Sequence, residues 1–229
     1  MLRRKFIASM AAGSSLGMFG IGCRSSDAPP PTEETSPRGA AEKSNSGESV
    51  KLRLHQFLPP VATLSKQVLK PWGERLLKAS EGALQIQHFD AMSMGGAPPQ
   101  LMDQATDGVA DIVMTLPGYT PGRFPKTEVF ELPFMMTNPV NTSKALWALI
   151  AEDLQASEFK DIKVLGAWVH GPGVIHTQEG VARLEDMKGK KLRGPTRVIN
   201  DLLSEVGATP VGMPLPATAR LMKNLRFMG

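Results

Sequence analysis

Residues 188–214 read KGKKLRGPTRVINDLLSEVGATPVGMP, and this stretch decides the fold class. It predicts a short strand that ends near Arg193, a turn, an amphipathic helix, and a second strand approached through Gly207 and Pro210. Arg193 is therefore predicted at the carboxyl end of a strand, directly before a helix begins. In open α/β sheets ligands bind outside those strand ends. Because the planar guanidinium matches the oxygen pair of a carboxylate or phosphate, we interpret Arg193 as a candidate anion-binding residue. A surface salt bridge or a solvated strand end is the alternative.

The chain preceding this stretch alternates between strand-like and helix-like patterns. Alternating or continuous apolar runs predict strands at 50–57, 83–89, 109–116, 162–169 and 174–177. Apolar spacing of three and four residues, with proline, glycine and asparagine at the ends, predicts helices at 64–76, 98–108 and 138–154. Pro71 is expected to kink the first helix. This order predicts an α/β fold with mostly parallel sheets.

Residues 117–136 (PGYTPGRFPKTEVFELPFMM) are rich in proline, glycine and aromatic side chains. That composition indicates a long ordered loop across the mouth of a cleft, and a plain surface loop is the alternative. Tyr119, the only tyrosine, lies in this segment. Its hydroxyl is a candidate hydrogen-bond donor to a ligand, although simple packing within the loop would also explain it.

Two further aromatic or imidazole side chains lie at predicted strand ends. His55 closes the first strand, where it would point either into a cleft or to the protein surface as a capped histidine. Trp168 lies near the end of the strand predicted at 162–169 and would line either a pocket or the core.

Charge and composition exclude several classes of function. The 229 residues carry a formal net charge of +4. Residues 1–22 and 217–229 each hold three basic residues and no acid, and residues 23–50 hold three bases and five acids, so the body at 51–216 is neutral. A neutral body has no patch that would follow phosphates, which argues against nucleic-acid binding.

Motifs for cofactors, metals and catalysis are absent from the sequence. One cysteine, Cys23, and four histidines without paired metal spacing predict no metal site. The sequence contains no GxSxG, Walker or GxGxxG motif, and no carboxylate pair stands out for acid–base work. We therefore predict no cofactor and no enzymatic activity.

The amino-terminal residues have the pattern of an export signal. Residues 1–22 combine a basic start with a short apolar run, too short to span a membrane. Arg3 and Arg4 resemble a twin-arginine signal, and an ordinary basic start is the alternative. GIGC at 20–23 resembles a lipoprotein processing site, which would make Cys23 a lipidated residue; an incidental cysteine is the alternative. Residues 23–49, rich in proline, serine and charge, predict a flexible stalk.

Three stretches together resemble one protein family. They are DGVADIV at 107–113, LPGYTPGRFPKTEVFELPF at 116–134 and MKGKKLRGPTRVINDLLSEVGATPVGMPLP at 187–216. In this order they resemble the solute-binding subunits of tripartite ATP-independent periplasmic (TRAP) transporters, of the dicarboxylate-binding type. The resemblance extends over about residues 52–216.

The resemblance implies a periplasmic-binding-protein-like fold with two α/β lobes around a cleft. Residues 50–168 would form the first lobe and 169–216 part of the second. An organic acid would bind in the cleft with its carboxylate on Arg193, and the lobes would close over it. Membrane permease subunits driven by an ion gradient would receive the solute. The protein would act in the periplasm or on the outer face of the cytoplasmic membrane, with an amino-terminal anchor as its only membrane contact.

The sequence departs from the family pattern in two places. After MPLP the family continues with a glutamate and a tyrosine, whereas residues 217–229 read ATARLMKNLRFMG. We therefore expect residues 217–229 to be an aberrant tail and the second lobe to be incomplete. WVHGPG at 168–173 stands where the family often has a second arginine, which makes Trp168 and His170 candidate ligand contacts. An ABC-importer receptor, an exported α/β enzyme and a non-binding scaffold domain are the alternative functions.

Overall fold

The computed structural model describes residues 49–226, whose strands form two parallel sheets. The predicted export signal, Cys23 and most of the stalk lie outside these residues. The strands are β1 (Val50–Gln56), β2 (Leu84–Phe89), β3 (Ile112–Met114), β4 (Lys191–Gly194) and β5 (Thr209–Gly212). The α-helices are α1 (Lys70–Ala79), α2 (Leu101–Thr106), α3 (Pro139–Leu149), α4 (Arg197–Glu205) and α5 (Leu215–Arg226). Short 3-10 turns occupy Pro98–Gln100, Pro117–Tyr119, Thr127–Glu131 and Leu184–Met187, and π-helical turns occupy Ser65–Leu69 and Ile150–Leu154.

The first sheet has the order β2-β1-β3, with β1 in the centre and parallel to both neighbours. The side chains of β1 are exposed at its start and buried at its end. Helices α1 and α2 lie between consecutive strands of this sheet, which is the connection that parallel pairing requires. The α/β class with parallel sheets is confirmed.

The second sheet consists of β4 and β5, which pair in parallel and are connected by helix α4. Its core is a small apolar cluster around Met187, Leu203 and Ala208. Helix α4 buries one apolar face on the two strands, and Gly207, with φ of 81°, ends it in the left-handed conformation that glycine tolerates. This strand–helix–strand unit is the one predicted from residues 188–214.

The strands predicted at 162–169 and 174–177 are wrong. Both segments have no regular secondary structure, although the apolar alternation at 162–169 still directs Ile162, Val164 and Val169 onto the core. Side chains, and not the backbone of a neighbouring strand, accept hydrogen bonds from N–H groups of 162–169. The N–H of Val164 donates to Gln155 Oε1 at 3.0 Å, and the N–H of Val169 donates to Ser143 Oγ at 2.9 Å. Apolar alternation produced burial here without a strand partner.

Two other element bounds differ from their predictions. Strand β3 is shorter than expected because the N–H groups of Val109 and Ala110 donate to the carbonyl of Gln104 and so extend the end of α2. The predicted kink at Pro71 appears as a change of helical geometry, since a π-helical turn precedes α1 and Pro71 lies in the first turn of α1. The start predicted at Asn138 is confirmed, because Asn138 Oδ1 accepts from the N–H of Asn141 at 2.9 Å.

Aromatic packing anchors the loop at 117–136 to an apolar cluster. Phe124 is buried and stacks on Phe159, with 4.8 Å between the ring centroids, in a cluster that also includes residues of α3. Phe124 thus joins this loop to the core, and its predicted position across the mouth of a cleft stays a prediction. The lobe boundary predicted after residue 168 stays a prediction, as does the aberrant tail, whose residues up to 226 continue helix α5. None of the helices in residues 49–226 is long and apolar enough to cross a bilayer.

Candidate functional site

Arg193 lies on β4 one residue before the strand ends, as the sequence predicted. Its Nε donates to the carbonyl oxygen of Met213 at 2.9 Å, which fixes the orientation of the half-buried guanidinium. Within residues 49–226 Arg193 forms no ion pair, in contrast to Arg53 and Arg197. Its two Nη nitrogens donate to no atom of these residues. The fork of the guanidinium is thus oriented by the protein and has donors left for an external anion.

The loop that follows β3 reaches the carboxyl end of the second sheet through Tyr119. The Tyr119 hydroxyl accepts a hydrogen bond from the N–H of Leu215 at 3.1 Å, two residues beyond the carbonyl that holds Arg193. The Tyr119 ring is buried and packs edge-on against Phe57, with 5.4 Å between the centroids. The structure therefore brings Tyr119 and Arg193 to one region, with the Tyr119 hydroxyl hydrogen still available as a donor.

Two glutamates of the Thr127–Glu131 turn contact the start of α4. Glu131 Oε2 accepts a hydrogen bond from the Thr196 hydroxyl, and Glu128 forms an ion pair with Arg197. Thr196 precedes α4 without capping it through its side chain. Burial raises the pKa of Glu131, and the hydrogen bond from Thr196 offsets part of that rise.

These contacts, together with the chain segments 193–196 and 213–215, connect a set of residues that is here named the strand-end ring. Its members are Arg193, Met213, Leu215, Tyr119, Gly118, Glu131 and Thr196. Gly118 completes it by close approach, since a Cβ at this position would lie 2.5 Å from Glu131 Oε1 and 2.5 Å from Thr196 Cγ2. Only glycine leaves room for the two side chains.

The glycines at the ends of β4 and β5 let α4 approach Arg193 closely. Gly194 and Gly212 are register partners, and the Asn200 side chain of α4 covers both. A Cβ at Gly194 would lie 2.0 Å from Asn200 Oδ1, and one at Gly212 would lie 2.8 Å from Asn200 Nδ2. The glycine pair therefore sets the distance between the helix start and the strand that carries Arg193.

His55 does not join this site. It is fully buried, its Nδ1 lies 2.6 Å from Gln104 Oε1, and its Nε2 accepts from the N–H of Met94 at 3.4 Å. Because Nε2 acts as an acceptor, Nδ1 carries the ring hydrogen and donates a hydrogen bond to Gln104 Oε1. Both ring nitrogens are occupied inside the protein, so neither the predicted ligand contact nor the capped surface histidine describes this residue. It is a core histidine.

Trp168 and His170 lie in the irregular segment after the core-facing residues of 162–169. Trp168 is 49% exposed, so neither a core position nor an enclosed pocket describes it in this structure. His170 is exposed, and its Nδ1 lies 2.7 Å from the Gly171 carbonyl.

Sequence reasoning missed Glu131, Thr196, Gly118 and the Met213 carbonyl. Glu131 and Thr196 are 65 residues apart, and nothing in either segment indicates that they meet. A signal was present at Gly118, because a Pro-Gly-Tyr turn directly after a predicted buried strand marks a tight approach of the backbone. Between residues 49 and 226 no group of three or more histidine, cysteine, aspartate or glutamate side chains is arranged to hold a metal ion.

A family model matches most of the described chain. The model named DctP, described as bacterial extracellular solute-binding protein, family 7, matches residues 55–224. The matched segment contains every member of the strand-end ring.

Solved structures of TRAP solute-binding proteins share this fold. One, from Rhodoferax ferrireducens T118 in complex with copurified benzoate, is 47% identical with a TM-score of 0.74 over 77% of this chain and 55% of its own. Another, from a marine metagenome, is described as specific for aromatic acid ligands and contains 3-hydroxybenzoate. It is 48% identical with a TM-score of 0.74 over 78% of this chain and 56% of its own.

A relative known from sequence is the outer membrane transporter protein TsaT of Comamonas testosteroni, 28% identical over 165 residues. The alignment covers 71% of this chain and 48% of that protein. The chain thus spans about half the length of the relatives it matches. The two solved relatives are described as TRAP solute-binding proteins.

Proposed function

The chain belongs to family 7 of the bacterial extracellular solute-binding proteins, and on that premise we propose that it is the extracytoplasmic receptor of a TRAP-type transporter for an aromatic carboxylic acid. It binds the acid by its carboxylate and delivers it to membrane permease subunits driven by an ion gradient. It binds the solute without transforming it. The two solved relatives described above, at 47% and 48% identity, contain benzoate and 3-hydroxybenzoate, which supports the aromatic class of ligand.

The observation that carries this proposal is that the guanidinium of Arg193 is held in place but has no acidic partner in the described residues. It is held through Nε and keeps both Nη groups open, so it is oriented to receive an anion. A ligand carboxylate would accept both free Nη donors in a bidentate pair. Tyr119 would donate its hydroxyl hydrogen to the same ligand, and Trp168 and His170 would contact its remaining surface.

The test is isothermal titration of the purified chain with benzoate, comparing wild type with Arg193→Ala. We expect saturable binding to the wild type and an affinity at least ~30-fold lower for Arg193→Ala, because the carboxylate loses its paired charge. Arg75→Ala is the matched control, since Arg75 is exposed on α1 and forms no ion pair within the described residues. Equal affinity of Arg193→Ala and wild type, or no binding by wild type, would overturn the proposal.

Localisation is tested separately through the amino-terminal residues. We propose that residues 1–22 direct export and that Cys23 carries a lipid anchor on the outer face of the cytoplasmic membrane. Cys23→Ser should then move the exported protein from the membrane fraction to the soluble periplasmic fraction. Equal membrane association of both forms would rule out the anchor and leave ligand binding unaffected.

A further inference from the structure

Glu131 presents a hydrogen-bond acceptor within the strand-end ring that the protein leaves open. Its Oε2 accepts from the Thr196 hydroxyl, which anchors the carboxylate at the start of α4. Its other oxygen, Oε1, is the atom that approaches Gly118. Within residues 49–226 Oε1 receives no hydrogen bond. One half of a half-buried carboxylate is therefore without a donor.

The surrounding charges do not supply that donor. Arg197 is paired with Glu128, three residues before Glu131 in the same turn. His170 has its Nδ1 2.7 Å from the Gly171 carbonyl and forms no hydrogen bond with Glu131 within residues 49–226. Because Oε1 stays accessible, it is free to accept a hydrogen bond from a bound molecule. Burial of the carboxyl group raises the pKa of Glu131. A bound molecule with a hydroxyl group would complete the hydrogen bonding.

Thr196 connects Glu131 to the strand that carries Arg193. Thr196 follows Arg193 by three residues, so the Cα atoms of Thr196 and Arg193 are at most about 11 Å apart, and the Thr196 hydroxyl donates to Glu131. Residues 118 and 119 contact both parts of the ring. The Tyr119 hydroxyl accepts from the N–H of Leu215, close to the carbonyl that holds Arg193, and Gly118 lies next to Glu131 Oε1. The guanidinium supplies donors and the carboxylate supplies an acceptor, so the two residues would bind opposite chemical groups of a ligand.

We infer that Glu131 is a specificity-determining residue that accepts, through Oε1, a hydrogen bond from a hydroxyl substituent of the acid whose carboxylate binds Arg193. This inference rests on the proposed function and specifies its ligand as a hydroxylated aromatic acid. The hydroxyl hydrogen stays on the ligand and is shared with a charged acceptor, which makes the bond stronger than one between neutral groups.

The experiment measures the affinities of benzoate and 3-hydroxybenzoate, which differ by one hydroxyl, for the wild-type chain and for two variants of Glu131. Wild type should prefer 3-hydroxybenzoate about tenfold to hundredfold, the range for a hydrogen bond to a charged group. Glu131→Gln keeps an acceptor for Thr196 but removes the charge, and should reduce the preference. Glu131→Leu removes the acceptor and should reduce the ratio of the two affinities to about one.

Glu152→Gln is the matched control, because Glu152 is an exposed glutamate outside the ring, and it should keep the wild-type preference. An equal ratio of affinities in wild type, Glu131→Gln and Glu131→Leu would overturn this inference while leaving the proposed function intact. A wild type that binds both acids with equal affinity would do the same. Failure of wild type to bind either acid would overturn the proposed function, and this inference with it.

Discussion

The carboxyl ends of β1 and β4 are equivalent positions in two parallel sheets, and they have opposite chemical states. At the end of β1, His55 is fully buried and both of its ring nitrogens meet partners within the protein. At the end of β4, Arg193 uses one nitrogen to fix its position and leaves the fork of its guanidinium open. Position at a strand end therefore does not make a binding residue. The two residues differ in that Arg193 has hydrogen-bond donors left over within the described residues, whereas His55 has used both of its ring nitrogens.

The largest effect that tests this comparison is expected for His55→Ala. The change leaves a cavity, an acceptor on Gln104 and a donor on Met94 without partners, and should lower the free energy of unfolding by about 3 kcal/mol or more. Urea denaturation measures that loss, while titration of the folded protein should give the wild-type affinity for benzoate. His176→Ala, at an exposed histidine, is the control and should change neither. A weakened affinity in His55→Ala at full stability would return His55 to the binding site.

A smaller effect, on both stability and binding, is expected for Gly194→Ala. The new Cβ would overlap Asn200 and displace the start of α4 from the end of β4. Overpacking of this kind costs about 1–2 kcal/mol, and benzoate affinity should fall with it because Arg193 is the preceding residue. Gly166→Ala is the control, since a Cβ there meets nothing within 4 Å. Unchanged affinity in a destabilised Gly194→Ala would show that the helix position does not matter to Arg193.

The smallest effect concerns the paired arginine of the first sheet, Arg53. Its guanidinium and backbone N–H donate to Asp111 and lower the pKa of that carboxyl to about 2. A folded pKa below the unfolded value contributes stability that is present above about pH 4 and is lost as the pH falls toward 2.

Asp111→Asn should therefore reduce stability at pH 7 by less than about 1 kcal/mol, because the pair is partly exposed. It should also flatten the acid side of the stability curve, as followed by thermal unfolding from pH 7 to pH 2. An identical pH dependence in both proteins would show that the pair contributes nothing.

The sequence predicted the elements whose signals are local. The strand, helix and strand at 188–214 carry their own turn residues, and Asn138 with Pro139 marks a helix start without reference to any other segment. The segment at 162–169 shows the limit of such signals. Its apolar alternation is real, but a strand also needs a neighbour to pair with, and its hydrogen bonds go to Gln155 and Ser143 instead.

The candidate site was predictable only in part for the same reason. Arg193 could be found because its own flanking residues place it at a strand end. Glu131 could not be found, because its place in the site depends on its hydrogen bond with Thr196, which lies 65 residues later in the chain. His55 has the same local signal as Arg193, but its partners Gln104 and Met94 are brought to it only by the fold.

The hydrogen bond between the Tyr119 hydroxyl and the N–H of Leu215 also has a consequence for the order of folding. The two residues are 96 positions apart, so this bond closes one of the longer loops of the chain. Such contacts cost the most chain entropy and form late, after the local strand–helix units are in place. The strands and helices that carry Arg193 and Tyr119 should therefore form before these residues are joined. A chain that ends before residue 215 would keep most of its local structure and lose this closure.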